Sequence, residues 1–532
     1  MGFRGVEVPL ELAKFGLVGS RNLASVPPNA MLTLKNVSLY EGTVRRGPGS
    51  KKYNSAAISG TPKVRGVLDW WPIATTQRLV VVTSAGVILR DDTGTGTFAT
   101  TMKSGLDVNG LPVWAEGGAE VLANNRKAFM TNGKNVVQVI SGDAATTADI
   151  TSGAAGKPDD WAGTNQPRSL FPHNNRMWGI LNHYLYGSSV TNHEDYKTSP
   201  GVTTFLIPVA PGDSEKLQGG MSFKGRLFLW KWPRGIYWLD DSSTTPSNWA
   251  VKRLTRAVGL AGPNALDLID DDVIFVSEVG HIHLLSGVTE FGDVRNSDLT
   301  ALNELIPFVR DQVELTETAL ERTEVKYYPE KKEAIIAMRS KGSQINDLIF
   351  KVDFNRADTP RIHTMDKDVS ESLAIRKDAN GIGRPISGDN LGFVWHIDES
   401  VKSKDGAGYN TEFQTPHTDF AWFDAKLGPR RKNFHWLEAV FQPIGDFTLN
   451  IDTIIDGNFA ETIAFNTGNS GAALGTFILG TDKLAGDEVV NRRQRIRGDG
   501  RRLSLNGRMS TANEDFAASL FYIGLAPGSE KE

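Results

Sequence analysis

His281 and His283 stand two residues apart, a type and spacing that could do chemistry. On a strand both rings would share one face and could seed a metal site. The sequence shows no third ligand near them, so a surface or satisfied histidine pair is expected. His173, His183 and His193 are spaced by ten and match no metal template. The chain has no cysteine, which removes thiolate ligands, disulfides and cysteine nucleophiles together. DTIIDGNFAE, from Asp452, lacks the oxygen ligand that an EF-hand needs at loop position 3, because Ile454 stands there. Asp456 and Gly457 read better as an Asp-Gly hairpin. Asp240, Asp241 and Asp270 to Asp272 form acidic clusters that read as solvated turns, although glycoside hydrolysis uses paired carboxylates. No G-x-S-x-G elbow and no phosphate-binding G-x-x-x-x-G-K-[ST] occurs. The Thr93 to Thr97 stretch, TGTGT, is a turn, since no helical pattern follows it.

Basic and aromatic clusters remain. Arg492, Arg493, Arg495, Arg497, Arg501 and Arg502 fall within eleven residues. On an extended strand Arg493, Arg495 and Arg497 share a face, open to an acidic partner or to DNA, or else to solvent or to intrachain pairs with nearby acidic turns. Arg45, Arg46, Lys51 and Lys52 carry the same alternatives. Trp230, Trp232, Tyr237 and Trp238 alternate along one hairpin, where core packing competes with stacking on bases or sugars. SGDNLGFVW, Ser387 to Trp395, approaches the Asp-box S-x-D-x-G-x-T-W. Gly392 comes one residue late and no Thr precedes Trp395, so Ser387, Asp389 and Gly392 read as a hairpin turn.

The elements that must position these residues are strands. Short runs rich in Val, Ile, Phe, Trp and Tyr are separated by Gly, Asn, Asp and Ser clusters. A two-strand unit recurs at Arg78, Lys127, Arg176, Arg226, Val273 and Lys332, with a further copy at Asn390. Its spacing of roughly 50 residues is close to a four-stranded propeller blade. The expected fold is therefore mostly β, a β-propeller of six or seven blades over residues 61–408. A helical insertion is expected near 296–315, where Leu299, Leu302, Leu305, Ile306 and Val309 fall at helical spacing. Residues 1–60 form an N-terminal arm. Six alternating segments within 409–532, LGTFILG among them, predict a C-terminal antiparallel β-sandwich that completes a composite platform.

The 532 residues suggest about three domains. A net charge of −4, from 58 basic and 62 acidic residues, gives no global basic excess of the kind duplex binding uses. The first residues lack an apolar h-region, so no signal peptide is expected, and the longest apolar runs are far short of the roughly 20 residues of a membrane span.

Four phrases resemble the nozzle proteins of short-tailed bacteriophage tails, also called tail tubular protein B. They are NAMLTLKNVSLYEGTVRRGPGSKKY (Asn29 to Tyr53), NHYLYGSSVTNHEDY (Asn182 to Tyr196), the Lys224 to Leu285 stretch, and LGTFILG with RRQRIRGDGRRLSLNGRMS. They occur in the family's order and are spread along the chain from Asn29 to Ser510. The resemblance implies a non-enzymatic structural virion protein without cofactors, made in the host cytoplasm. It implies a homo-oligomeric ring, usually a hexamer, at the distal end of the tail channel. Expected partners are the portal-adaptor complex, tail fibres or spikes, and genomic DNA passing through non-specifically. Arg45, Arg46, Arg493, Arg495, Arg497, Arg501 and Arg502 are the candidate interface or channel residues. Six copies would carry −24, a lumen along which DNA slides rather than sticks. A glycan-binding or receptor-binding tail propeller is the alternative; it predicts clustered aromatics and paired carboxylates at the propeller centre.

Overall fold

The repeated hairpins form where valine-rich or aromatic runs meet a glycine or asparagine turn. Leu79 to Val82 run into the Gly86 turn, where φ is 71°, and the chain returns as Ile88–Asp91. The computed structural model describes all residues except 1–4, 13, 20–25, 41, 118–125, 287–296, 356–359, 379, 469–488 and 529–532. LGTFILG therefore lies outside the described residues. The protein is mostly β, with 49% of residues in strands and 5% in helix.

Seven antiparallel sheets follow one another along the chain. The first contains Val64–Ile73, Thr76–Thr83, Ile88–Asp91 and Thr100–Lys103; the second Val113–Gly117, Lys127–Thr131, Gln138–Ser141 and Ala148–Asp149. The third contains Ser169–His173, Arg176–Leu181, Tyr184–Gly187 and Phe205–Pro208; the fourth Lys216–Phe223, Arg226–Trp232, Ile236–Asp240 and Ala250–Thr255. The fifth has three strands, Leu266–Ile269, Asp272–Val276 and Ile282–Leu284. The sixth begins with Glu324–Tyr328, Glu333–Met338, Leu348–Asp353 and Arg361–Met365. The seventh pairs Ser372–Lys377, Gly383–Gly388 and Val394–Glu399 with Gly49–Lys52, from near the chain's beginning.

The first strand of each sheet neighbours the first strand of the next, and Ser372–Lys377 returns to Val64–Ile73, so the seven form a closed cycle. Alternate residues of a strand serve different interfaces, as the two-residue period requires. Val80 and Val82 pack towards Ala128, Met130 and Ile140 of the second sheet, whereas Leu79 and Val81 pack towards Ala374, Ile386 and Val394 of the seventh. This double burial explains continuous apolar runs in place of apolar-polar alternation.

The sixth sheet continues outward. Arg361–Met365 pairs in parallel with Thr33–Lys35, followed by Thr411–Gln414, Leu503–Met509, Thr448–Ile455 and Asn458–Asn466. A second sheet runs in the order Val37–Tyr40, Thr43–Arg46, Ala517–Pro527, Lys432–Phe441, Val490–Gly500, with Val6–Glu11 also on Ala517–Pro527. The two sheets meet face to face through Phe413 on Phe516 and Phe521, at 5.7 and 6.2 Å, and through Phe441 on Phe465 at 6.2 Å. Their core is continuous with that of the fourth to sixth sheets.

The helical stretch is broken. Leu299–Leu302, Ile306–Gln312 and Glu317–Leu320 stand between the fifth and sixth sheets. Glu304 takes a left-handed φ of 52°, and Pro307, in the first turn of the next helix, cannot donate to the turn before it. Among the described residues no helix is long and apolar enough to cross a membrane.

Candidate functional site

The arginine run forms a strand. Val490–Gly500 is the edge of the sheet that also holds Ala517–Pro527, opposite Lys432–Phe441, with Glu438 facing Arg493 and Trp436 facing Arg495. Val490 and Ile496 point into the core, so Arg493, Arg495 and Arg497 share the exposed face. Arg493 binds Glu438 at 2.5 Å and lies 3.8 Å over the Trp436 ring. Among the described residues Arg495, Arg497, Arg501 and Arg502 form no salt bridge. Glu461 accepts from the Arg497 backbone N–H at 2.5 Å, drawing the strand Asn458–Asn466 and its exposed Phe459 alongside.

The next two arginines are presented by a turn. Asp456 and Gly457 have φ of 49° and 86°, as the Asp-Gly hairpin reading requires. The Asp456 carboxylate accepts from the backbone N–H groups of Arg501 and Arg502 at 2.9 and 2.8 Å. Beneath them Lys432 donates to the carbonyls of Arg430 and Arg501 at 2.8 and 2.7 Å, and burial pushes its ammonium down to about 8. The side chains of Arg501 and Arg502 are exposed.

Arg45 and Arg46 stand apart, on Thr43–Arg46, separated from the arginine strand by Ala517–Pro527 and Lys432–Phe441. Arg46 corrects the sequence expectation: it is fully buried and cannot face a partner or a channel. It donates to the carbonyls of Glu514 and Tyr409 at 2.7 and 2.8 Å and to that of Thr511, and it stacks 4.3 Å from the Tyr409 ring. Arg45 is half-buried and donates to Thr43 Oγ1 at 2.9 Å and to Gln442. The candidate face thus narrows to Arg493, Arg495, Arg497, Arg501 and Arg502.

A second feature was not read from the sequence. The seven first strands enclose a cavity of about 440 Å³ that carries Asp69, Glu116, Asp267 and Glu324 beside Trp114 and Phe171. Burial pushes Glu324 up to about 8, against a hydrogen bond from Asn264 at 2.8 Å, and also raises Asp69 and Glu116. Asp267 accepts from the Tyr327 N–H at 2.8 Å. Burial lowers Arg65, with Arg322 and Arg339 adding repulsion. The Trp114 indole N–H is buried without a partner. The arrangement suits a polar ligand that supplies both donors and acceptors.

His281 and His283 gain the third partner that the sequence did not show. Asp298 Oδ2 lies 2.8 Å from His281 Nδ1, and one ligand atom of each of the three residues lies within 4.8 Å of the others. Burial pushes the His283 ring down to about 4. The remaining candidates are structural. Asp241 is not a solvated turn: it holds buried His173 at 3.0 Å. Trp230 and Tyr237 are core, while Trp238 lies between Arg226 and Lys252. Asp389 organises the SGDNLGFVW hairpin turn, accepting from Leu391 N, Phe393 N and Trp395 Nε1 at 2.8, 2.8 and 2.9 Å.

No family model and no curated protein matches the chain. Among solved structures the chain is similar to the crystal structure of the computationally designed Ika8 protein. The identity is 10% and the TM-score 0.37, over 65% of this chain and 100% of that one. A likeness at that level carries no argument about function.

Proposed function

We propose that this chain is a non-enzymatic structural subunit of a bacteriophage tail, of the nozzle type, whose seven sheets are the blades of a β-propeller. The observation that carries the reading is the use of the first 60 residues. They supply Gly49–Lys52 to the seventh sheet, Thr33–Lys35 to the sheet that continues the sixth, and Val6–Glu11, Val37–Tyr40 and Thr43–Arg46 to the second platform sheet. A propeller tied to a platform built from both chain ends is the arrangement that the four sequence phrases imply. In this reading several copies, six in the family, form a ring below the portal-adaptor complex. The ring extends the DNA channel, holds it closed in the virion, carries fibres or spikes, and opens on host contact. The face of Arg493, Arg495, Arg497, Arg501 and Arg502 meets an acidic neighbour. Virions lacking the protein should leak DNA from filled heads; retained DNA would instead mark a peripheral neck or decoration protein.

A second reading rests on the central cavity, whose carboxylates, Trp114 and Phe171 are what a glycan-binding tail component would use. It predicts binding of host surface glycans that Trp114→Ala weakens at least about tenfold. Glycan binding unchanged in that variant, or absent altogether, would remove it.

A further inference from the structure

We propose that His281, His283 and Asp298 bind one divalent transition-metal ion of the zinc class, which fastens the helical insertion to the fifth sheet. His283 lies within Ile282–Leu284 and His281 immediately precedes it, so the two rings project from one face of the chain. They are near parallel, at 24° and 6.4 Å between centroids. Asp298 stands at the start of the helical insertion and bridges His283 through the backbone. Its two oxygens divide the work. Oδ1 accepts from Ala301 N at 3.0 Å, capping Leu299–Leu302, while Oδ2 faces His281 Nδ1 at 2.8 Å.

The supporting contacts fix the ligands. The His283 ring stacks on Phe275, at 5.3 Å and 17°, and its Nδ1 lies 3.3 Å from Ser297 Oγ, leaving Nε2 for the ion. The His281 backbone N–H donates to Ser277 Oγ at 3.2 Å. Two ligands at roughly 2.0–2.1 Å from a tetrahedral ion stand about 3.3 Å apart. The His281–Asp298 pair is already within that span, and the ion replaces the proton between them. The widest separation in the trio, up to 4.8 Å, closes by about 1 to 1.5 Å through side-chain rotation. Two imidazoles and one carboxylate favour zinc-class ions over magnesium or calcium, which prefer all-oxygen sites. Three protein ligands leave a fourth position for water. The fifth sheet has three strands where most of its neighbours have four, and the insertion follows its last strand, so a metal fastening would hold the segment there.

The test uses the full chain, stripped with a chelator and titrated with zinc chloride and, separately, cobalt chloride. The expected result is one ion per chain with micromolar or tighter affinity, visible cobalt bands of a tetrahedral site, and a zinc-dependent rise of about 2 °C or more in the unfolding midpoint. Two variants keep the fold testable. Asp298→Asn retains an oxygen for Ala301 N, and His281→Gln alters the more exposed ring. Each should weaken zinc binding at least about tenfold while the metal-free midpoint changes little. No saturable binding, or binding unchanged in both variants, would overturn the proposal.

Discussion

Arg46 shows how far one residue's surroundings decide its role. Three backbone carbonyls from the C-terminal part of the chain converge on its guanidinium, and no other side chain offers such a fork. Arg46→Lys should lower stability by about 2–4 kcal/mol, read as a drop in urea midpoint; an unchanged midpoint would mean that the fork is dispensable. Glu324 makes a prediction of opposite kind. Its carboxyl is pushed from 4.5 up to about 8, so between those values the folded chain keeps a proton that the unfolded chain has released. Stability then falls as pH rises through that window, by up to about 1.4 kcal/mol per pH unit. Glu324→Gln should flatten this decline in urea titrations from about pH 5 to about pH 8.5, and an equal slope in both proteins would refute it. Buried His363 acts on the acid side. Burial pushes it from 6.5 down to about 3, so the unfolded chain binds the extra proton and stability falls as pH drops below about 6.5.

At the scale of elements, Gly49–Lys52 closes the seventh sheet. A Cβ on Gly49 would meet the carbonyl oxygens of Val401 and Ser403 at 2.1 and 2.4 Å, and both belong to rigid backbone. Gly49→Ala should cost about 2 kcal/mol or more and speed proteolysis at the junction of the seventh sheet and the N-terminal segment; unchanged proteolysis would show that the strand is not what seals the sheet. The strands with continuous apolar runs were legible in the sequence. The hairpins at Arg78, Lys127, Arg176, Arg226, Val273 and Lys332 are strands two and three of their sheets. The first strands went unread because segments such as RGVLDW, PVWAEG and LDLID mix charged with apolar residues and so break the continuous apolar runs that mark the strands after them. The cavity carboxylates Asp69, Glu116, Asp267 and Glu324 sit on or beside those strands and were hidden with them. Asp298 was missed for another reason: it stands fifteen positions along the chain from His283, at the start of the helical stretch. Arg46 was misread because a basic run looks the same whether its side chains point into carbonyls or into water.

For the whole molecule, the exposed arginine face is where charge can be changed without touching a core. Replacing Arg495, Arg497, Arg501 and Arg502 together with Glu should leave the unfolding midpoint within a few degrees of the parent. The same change should weaken ring formation or adaptor docking at least tenfold and reduce its sensitivity to salt. Undiminished assembly would place the contact elsewhere. If the assembled ring binds DNA tightly at physiological salt, the sliding lumen is wrong even where the ring is right. The most direct measurement is the mass of the purified protein, alone and then mixed with a portal-adaptor complex of the proposed tail, followed by negative-stain imaging. If the chain is a nozzle subunit, a ring forms or docks at the distal end of the adaptor. A persistent monomer that ignores the adaptor and binds host glycans would contradict it.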